Sequence, residues 1–364
     1  MSERVTLLIV DDSRLFRSAL EEALAGQPDI SVVGSVFSGA KAIEFIRSSP
    51  PDLVTLDVEM PGMNGLQTLK QIQALNDARH PAKPVGVIMV SALTRRGAQV
   101  TVEALEAGAF DFVAKPSGES AEMNLASLRN ELLAKVRAYA NSRRRLAPGT
   151  AAPAVAPLPP IVRRAAGKRS RVRAVVMGAS TGGPRALADL MPELCRRVDV
   201  PILIVQHMPT GFTRTLAESL ARQTGRKVVE ASDGMTLEPA SVYVAPGGKH
   251  LLVRGPSGAP LTDINEQPPE NGCRPSADVL FRSAASTFGA EVVAVILTGM
   301  GQDGAAGLGA IRRAGGHVIA QDQASSVVWG MPGSAVEAGV VDEVHPLNRI
   351  AAAVASVVSR TPQT

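Results

Sequence analysis

The stretch Arg173-Ala174-Val175-Val176-Met177-Gly178-Ala179-Ser180-Thr181-Gly182-Gly183 reads as a buried strand running straight into a glycine-flanked serine. A strand that turns sharply into a helix is the repeating unit of a parallel α/β sheet. The glycines permit positive φ and leave room for a carbonyl to approach, so Ser180 would stand out at the sheet's edge as a nucleophile. The spacing satisfies G-x-S-x-G. Glycine-rich strand-to-helix turns also hold phosphates, and the run alone leaves both readings open.

Outward from this turn the same pattern continues. Strands are expected near Ala174–Met177, Ile202–Gln206, Ser241–Ala245, His250–Arg254, Val292–Thr298 and His317–Ala320, with helices after Gly182, Gly211, Pro275 and Gly304. Upstream, Val5–Val10, Leu53–Leu56, Val85–Val90 and Phe110–Ala114 alternate with helical stretches. A helix is expected behind Ser13, and the last one is Leu125–Tyr139. The chain is therefore expected to be α/β twice over, with two doubly wound parallel sheets whose chemistry gathers at strand carboxyl ends.

Between the two bodies, Ala147–Pro160 reads APGTAAPAVAPLPP, five prolines among small residues that cannot pack a core. The boundaries expected are 1–122 for the first domain, 123–170 for a helix and a Pro/Arg-rich linker (the linker itself from about 143), and 171–364 for the second domain. The formal charge of +4 belongs to this region. Leu132 to Ala188 holds twelve Lys or Arg and no Asp or Glu, leaving 26 basic against 34 acidic residues elsewhere. The basic segment could suit an acidic partner or nucleic acid, or serve as a soluble spacer.

Composition excludes several classes. Aromatics are 3%, too few for surfaces that stack single-stranded bases, and the basic charge lies in the proline-rich stretch, so no nucleic-acid partner is expected. Aliphatic runs such as Val292–Leu297 are too short to span a bilayer. Met1–Val10 shows no signal-peptide pattern, and Asp11-Asp12 ends its apolar run, which points to a cytoplasmic protein without membrane insertion. Cys195 and Cys273 are the two thiols, so neither a disulfide scaffold nor a cysteine zinc site is expected, and neither is assigned a role.

In the first body, Asp11 and Asp12 follow the first strand and Asp57 follows Leu53–Leu56, so three carboxylates meet at one sheet end. They repel, and a hard divalent cation is the natural remedy. Ser91 and Lys115 end the next two strands and could bind phosphoryl oxygens, with Asp57 the nucleophile towards phosphorus. Together with Asp57-Val58-Glu59-Met60-Pro61-Gly62-Met63-Asn64-Gly65, these residues resemble the response-regulator receiver domain across 4–122. The resemblance implies a flavodoxin-like parallel sheet and phosphorylation of Asp57 by a histidine kinase (CheA in chemotaxis). It also implies Mg2+ on Asp11, Asp12, Asp57 and the Glu59 carbonyl, with Ser91, Phe112 and Lys115 sensing the phosphoryl group.

Ser180 needs a base, and the base an orienting acid. His80 and His345 stand beside prolines, and His250 and His317 begin expected strands at the wrong sheet end. His207 closes Ile202–Gln206 and emerges at the serine's edge. For the acid, Asp303 lies beyond Val292–Thr298, although it could equally cap a helix starting near Ala305. A third reading competes. Gly299, Gly301 and Gly304 satisfy G-x-G-x-x-G, and Asp322 ends the next strand, imitating a dinucleotide fingerprint. Asp303 would then place a negative charge inside a pyrophosphate loop, which weakens that reading.

Gly178–Pro184, Gln206-His207-Met208-Pro209, Arg274-Pro275-Ser276-Ala277-Asp278-Val279-Leu280-Phe281, Leu297–Gly304 and Gly330-Met331-Pro332 resemble the catalytic domain of the chemotaxis protein-glutamate methylesterase family. That family's serine, histidine and aspartate fall on Ser180, His207 and Asp303. The order Ser…His…Asp differs from that of α/β-hydrolases, so the G-x-S-x-G match is convergent. The resemblance implies demethylation of γ-glutamyl methyl esters and deamidation of glutamines on methyl-accepting chemotaxis receptors. No cofactor is expected in this half, and the Thr181 and Met300 backbone N–H groups are expected as oxyanion donors. A receiver covering the Ser180 edge until phosphorylated would make the esterase conditional. A receiver with a DNA-binding output is the alternative, but no helix-turn-helix pattern follows the linker.

Overall fold

The computed structural model describes residues 4–78, 84–116, 120–146 and 171–359. The proline-rich stretch 147–170 and His80 lie outside the described residues. The chain divides into two compact units, Met1–Ala152 and Pro153–Thr364.

In the first unit, β1 (Val5–Val10), β2 (Ile30–Val36), β3 (Leu53–Asp57), β4 (Gly86–Ser91) and β5 (Asp111–Ala114) alternate with five helices. These are α1 (Arg14–Leu24), α2 (Gly39–Ser48), α3 (Gly65–Ala78), α4 (Arg95–Glu106) and α5 (Ala121–Leu146). The sheet is parallel throughout, in the order β2-β1-β3-β4-β5. Leu7 to Val10 and Leu53 to Leu56 are buried, the second run including the polar Thr55, as strands between two helical layers must be. Ser13 caps α1 by accepting from the Phe16 N–H, a contact worth about 1 kcal/mol.

Sequence reasoning did not anticipate β2. It is an edge strand with Val32 and Val33 exposed, so its apolar pattern is interrupted. The last helix was also expected to be shorter. α5 runs through Arg143, placed by sequence in the linker, and Arg143 pairs with Asp52 of the first unit.

The second unit holds β6 (Ala174–Ala179), α6 (Gly183–Arg197), β7 (Ile202–Gln206), α7 (Phe212–Thr224), β8 (Val228–Glu230), β9 (Val242–Val244), β10 (His250–Arg254), β11 (Leu261–Asn265) and α8 (Ala277–Phe288). It continues with β12 (Val292–Ile296), α9 (Ala305–Ala314), β13 (His317–Gln321), α10 (Met331–Glu337), β14 (Glu343–His345) and α11 (Leu347–Val358). Seven strands form a parallel sheet in the order β14-β13-β12-β6-β7-β9-β8, while β10 and β11 form a separate antiparallel hairpin. The expected β10 therefore exists but lies outside the main sheet, so the exclusion of His250 by sheet end does not hold. The core runs through Leu203, Val205, Phe281, Ile296 and Val318.

Both sheets reverse direction at their first strand. In the second unit the chain leaves β6 for β7 on one side and later returns to β12 on the other. The crevice outside such a switch point is where open α/β sheets place their ligands. In the first unit the same point lies between β1, which Asp11 follows, and β3, which ends at Asp57.

Candidate functional site

At the first switch point Asp11 is buried and Asp57 is 3% exposed, while Asp12 faces solvent. One ligand oxygen from each lies within 4.8 Å of the others, a hard-donor set suited to a divalent cation. Lys115 Nζ reaches Asp11 Oδ2 at 2.8 Å and Asp57 Oδ2 at 3.1 Å, and lies 4.6 Å from the Phe16 ring centre. Burial pushes Asp57 up to about 6, Asp11 pushes the same way, and Lys115 opposes them. The Glu59 backbone N–H donates to Asp57. Gly65 is obligatory behind this loop, because a Cβ would sit 2.2 Å from the Asp57 carbonyl oxygen. Ser91 and Phe112 are both buried. The Lys115 N–H donates to the Ser91 carbonyl at 2.7 Å, and Lys135 Nζ lies 4.9 Å from the Phe112 ring centre.

At the second switch point the register places the serine beside the histidine. Ala179 of β6 pairs with Gln206 of β7, so Ser180 and His207 are the next residues on adjacent strands, and the His207 N–H donates to the Ala179 carbonyl at 3.1 Å. On the opposite side the Ser180 N–H donates to the Thr298 carbonyl beyond β12 at 3.0 Å. Ser180 leads into α6 through Gly182, whose φ is +78° and whose Cβ would strike Val327 at 2.6 Å.

Asp303 completes the group. His207 Nε2 donates to Asp303 Oδ2 at 2.8 Å, and the Ala277 N–H reaches the same oxygen at 2.6 Å. Oδ1 accepts from Ser276 Oγ at 2.7 Å, Asn271 Nδ2 at 3.2 Å and the Asp278 N–H at 3.3 Å. The reading of Asp303 as a cap for the helix near Ala305 therefore fails. Asp303 faces the N-terminus of α8, whereas α9 starts at Ala305 behind Gly304 with no side-chain cap. Burial would raise the Asp303 carboxyl, but His207, Ser276 and the Ala277 N–H hold it at about 2. Burial would lower His207, yet Asp303 and the Cys273 sulfur outweigh it and lift it to about 9.

The structure brings Ser180, His207 and Asp303 to one edge, although among the described residues Ser180 Oγ makes no hydrogen bond. Such contacts often tighten only with substrate bound. With Nε2 on Asp303, Nδ1 is the ring nitrogen left for a second partner, and Cys273 Sγ lies 3.6 Å from it. Met300 sits half-buried past Gly299, its N–H donating to nothing among the described residues. Thr181 is 5% exposed, and its carbonyl accepts from Thr298 Oγ1 at 3.0 Å. The dinucleotide reading fails: the Asp303 carboxylate is committed as above, and Asp322 Oδ1 accepts from the Ser325 N–H and Oγ in a local turn.

Several supporting residues were given no role by the sequence reading. Gln206 Nε2 donates to the Ser180 carbonyl at 3.0 Å and to the His207 carbonyl at 3.3 Å. His250 Nδ1 accepts from the Ser276 N–H at 3.2 Å, so it stands directly behind Asp303's partner. Gln206 and Ser276 both stand within motifs shared with the family, and Ser276-Ala277-Asp278 opens α8.

Two family models match the chain, the response regulator receiver domain over residues 7–126 and the CheB methylesterase over residues 175–354. A protein-glutamate methylesterase/protein-glutamine glutaminase from Desulfotalea psychrophila is 42% identical over 96% of this chain and 97% of its own length. One from Geobacillus kaustophilus is 42% identical over 97% and 99%. The crystal structure of the Thermotoga maritima CheB methylesterase catalytic domain is 40% identical, covers 52% of this chain and all of that one, and superposes with a TM-score of 0.50. The chain belongs to the protein-glutamate methylesterase/protein-glutamine glutaminase family, a receiver domain followed by a CheB methylesterase domain.

Proposed function

We propose that this chain removes methyl groups from γ-glutamyl esters of chemoreceptors, releasing methanol, and deamidates receptor glutamines, under control of receiver phosphorylation. Relatives of that name match it over nearly its full length. The observation that carries the chemistry is the 2.8 Å His207–Asp303 pair standing one strand from Ser180.

Ser180 Oγ attacks the ester carbonyl while His207 takes its proton at Nδ1, the nitrogen not held by Asp303. Asp303 fixes the tautomer and stabilises the imidazolium that forms. The Met300 N–H, with that of Thr181, faces the developing oxyanion. Methanol leaves with the proton from His207. A water that returns its proton to His207 then cleaves the acyl-enzyme to free glutamate, and an amide follows the same course with ammonia leaving.

In the receiver, Asp57 is the phosphoryl acceptor and a histidine kinase such as CheA the donor. Asp11, Asp12, Asp57 and the Glu59 carbonyl would hold Mg2+, which offsets charge on the phosphoryl oxygens when bound. Lys115 supplies a further cation, and Ser91 and Phe112 respond to the modified aspartate. The chain is proposed to act in the cytoplasm; among the described residues no helix is long and apolar enough to cross a membrane.

Methanol release from methylated receptor membranes tests the reading. Wild type should release methanol and Ser180→Ala should not; equal release from both overturns it.

A further inference from the structure

Cys273 enters no step of the proposed reaction, yet its sulfur touches the base of that reaction. Cys273 Sγ lies 3.6 Å from His207 Nδ1, and one donor atom each from His207, Cys273 and Asp303 fall within 4.8 Å of one another. Cys273 and His207 are half-buried, so solvent reaches the pair, while Cys195 is buried elsewhere.

In a tetrahedral zinc site with bonds of about 2.3 Å to sulfur and about 2.0 Å to nitrogen, the two ligand atoms stand about 3.5 Å apart. Cys273 Sγ and His207 Nδ1 already hold that separation. The far side of the ring matches as well. A metal-bound histidine usually donates its other N–H to a carboxylate, which fixes the tautomer and makes the ligand more basic. His207 Nε2 does this to Asp303 Oδ2 at 2.8 Å, and Asp303 is in turn held by Ser276 and the α8 N-terminus. The donors are soft and borderline, unlike the all-oxygen set of Asp11, Asp12 and Asp57, so the two sites select different ions. The other histidine–carboxylate cluster, His317, Glu343 and His345, has both Glu343 oxygens taken by ring nitrogens and offers no thiol.

We propose that Cys273 and His207 Nδ1 form a binding site for a zinc-class ion, with Asp303 as the outer carboxylate, and that the bound ion blocks the esterase. Binding replaces the thiol proton with the metal and releases that proton to water. It also occupies the nitrogen that must accept the Ser180 proton. The inhibitory consequence rests on the function proposed above; the binding itself does not.

The test uses chelator-treated full-length protein and Co2+ as the probe. Wild type should show a near-ultraviolet thiolate-to-cobalt absorption that saturates at one ion per chain, and Cys273→Ser should lack it. The receiver carboxylates can bind Co2+ but give no sulfur band. Asp303→Asn should retain the band with affinity weakened about 10- to 100-fold. Zn2+ should abolish methanol release by wild type, reversibly with chelator, and spare Cys273→Ser relative to its own metal-free rate. No sulfur band in wild type, or the same band in Cys273→Ser, overturns the site. A band that disappears in Cys273→Ser together with unchanged wild-type release under saturating Zn2+ overturns the inhibition while leaving the site.

Discussion

Ser276 Oγ donates to Asp303 Oδ1 at 2.7 Å, so the acid of the proposed reaction is held by a hydroxyl from the turn that opens α8. A charged acceptor buried this deeply depends on each of its donors. Ser276→Ala should cost about 1.5–3 kcal/mol in denaturant unfolding of the second unit. With His207 less firmly oriented, kcat should fall while KM changes little. A variant with unchanged kcat would show that the other four donors suffice.

His207 is raised to about 9 from an ordinary 6.5, and a general base works only when neutral. The rate kcat/KM should therefore climb with pH to an alkaline plateau, its limb lying above 6.5. Asp303→Asn removes the partner that lifts the imidazole, so the limb should shift to lower pH while the plateau drops about 10⁴-fold. Stability follows the opposite course. The raised histidine contributes fully below 6.5 and loses its contribution as pH rises towards about 9. Asp303, held at about 2 against an ordinary 3.8, contributes above 3.8 and loses its contribution as pH falls towards about 2. Chemical unfolding across this range should show the pair's contribution greatest between those limits.

Gln206 joins the two strand ends by donating to both the Ser180 and His207 carbonyls. Gln206→Ala removes both bonds, at about 0.5–1.5 kcal/mol each, although the Ser180 carbonyl keeps the Gly183 N–H at 2.8 Å. Esterase activity should fall more than the loss of folded protein explains. Activity per folded molecule, measured at a temperature where circular dichroism shows full folding, separates the two effects.

Phosphoryl uptake by the receiver should require Asp57 and a divalent cation. Asp57→Asn should take up no phosphoryl group from a small-molecule donor and show no stimulation of methanol release. Chelation of Mg2+ should likewise prevent uptake in wild type while leaving unstimulated release intact. Stimulation that persists in Asp57→Asn would place the control elsewhere.

Much of the site was legible because reactive side chains follow aliphatic runs. Ser180 after β6, His207 after β7 and Asp57 at the end of β3 are each fixed by counting along a buried strand. The supporting residues were less accessible. Asn271, Cys273 and Ser276 reach Asp303 or His207 from the segment before α8, and no periodic pattern predicts where such a segment folds back. Sheet end does not exclude His250, because its strand leaves the main sheet. Asp303 kept a rival reading because an aspartate before a helix looks the same whether it caps that helix or another. The short strands β8 and β14 have three residues each, too few to show alternation.

The order of the sheet also bears on when the proposed site can be assembled. Ser180 and His207 leave the ribosome long before Asp303, and β12 must insert beside β6 before the acid can reach the imidazole. If the proposed relay holds, an incomplete chain carries Ser180 without the acid that completes it. On the proposed mechanism, hydrolysis becomes possible only after Asp303 has been made, by which time the receiver has already been synthesised.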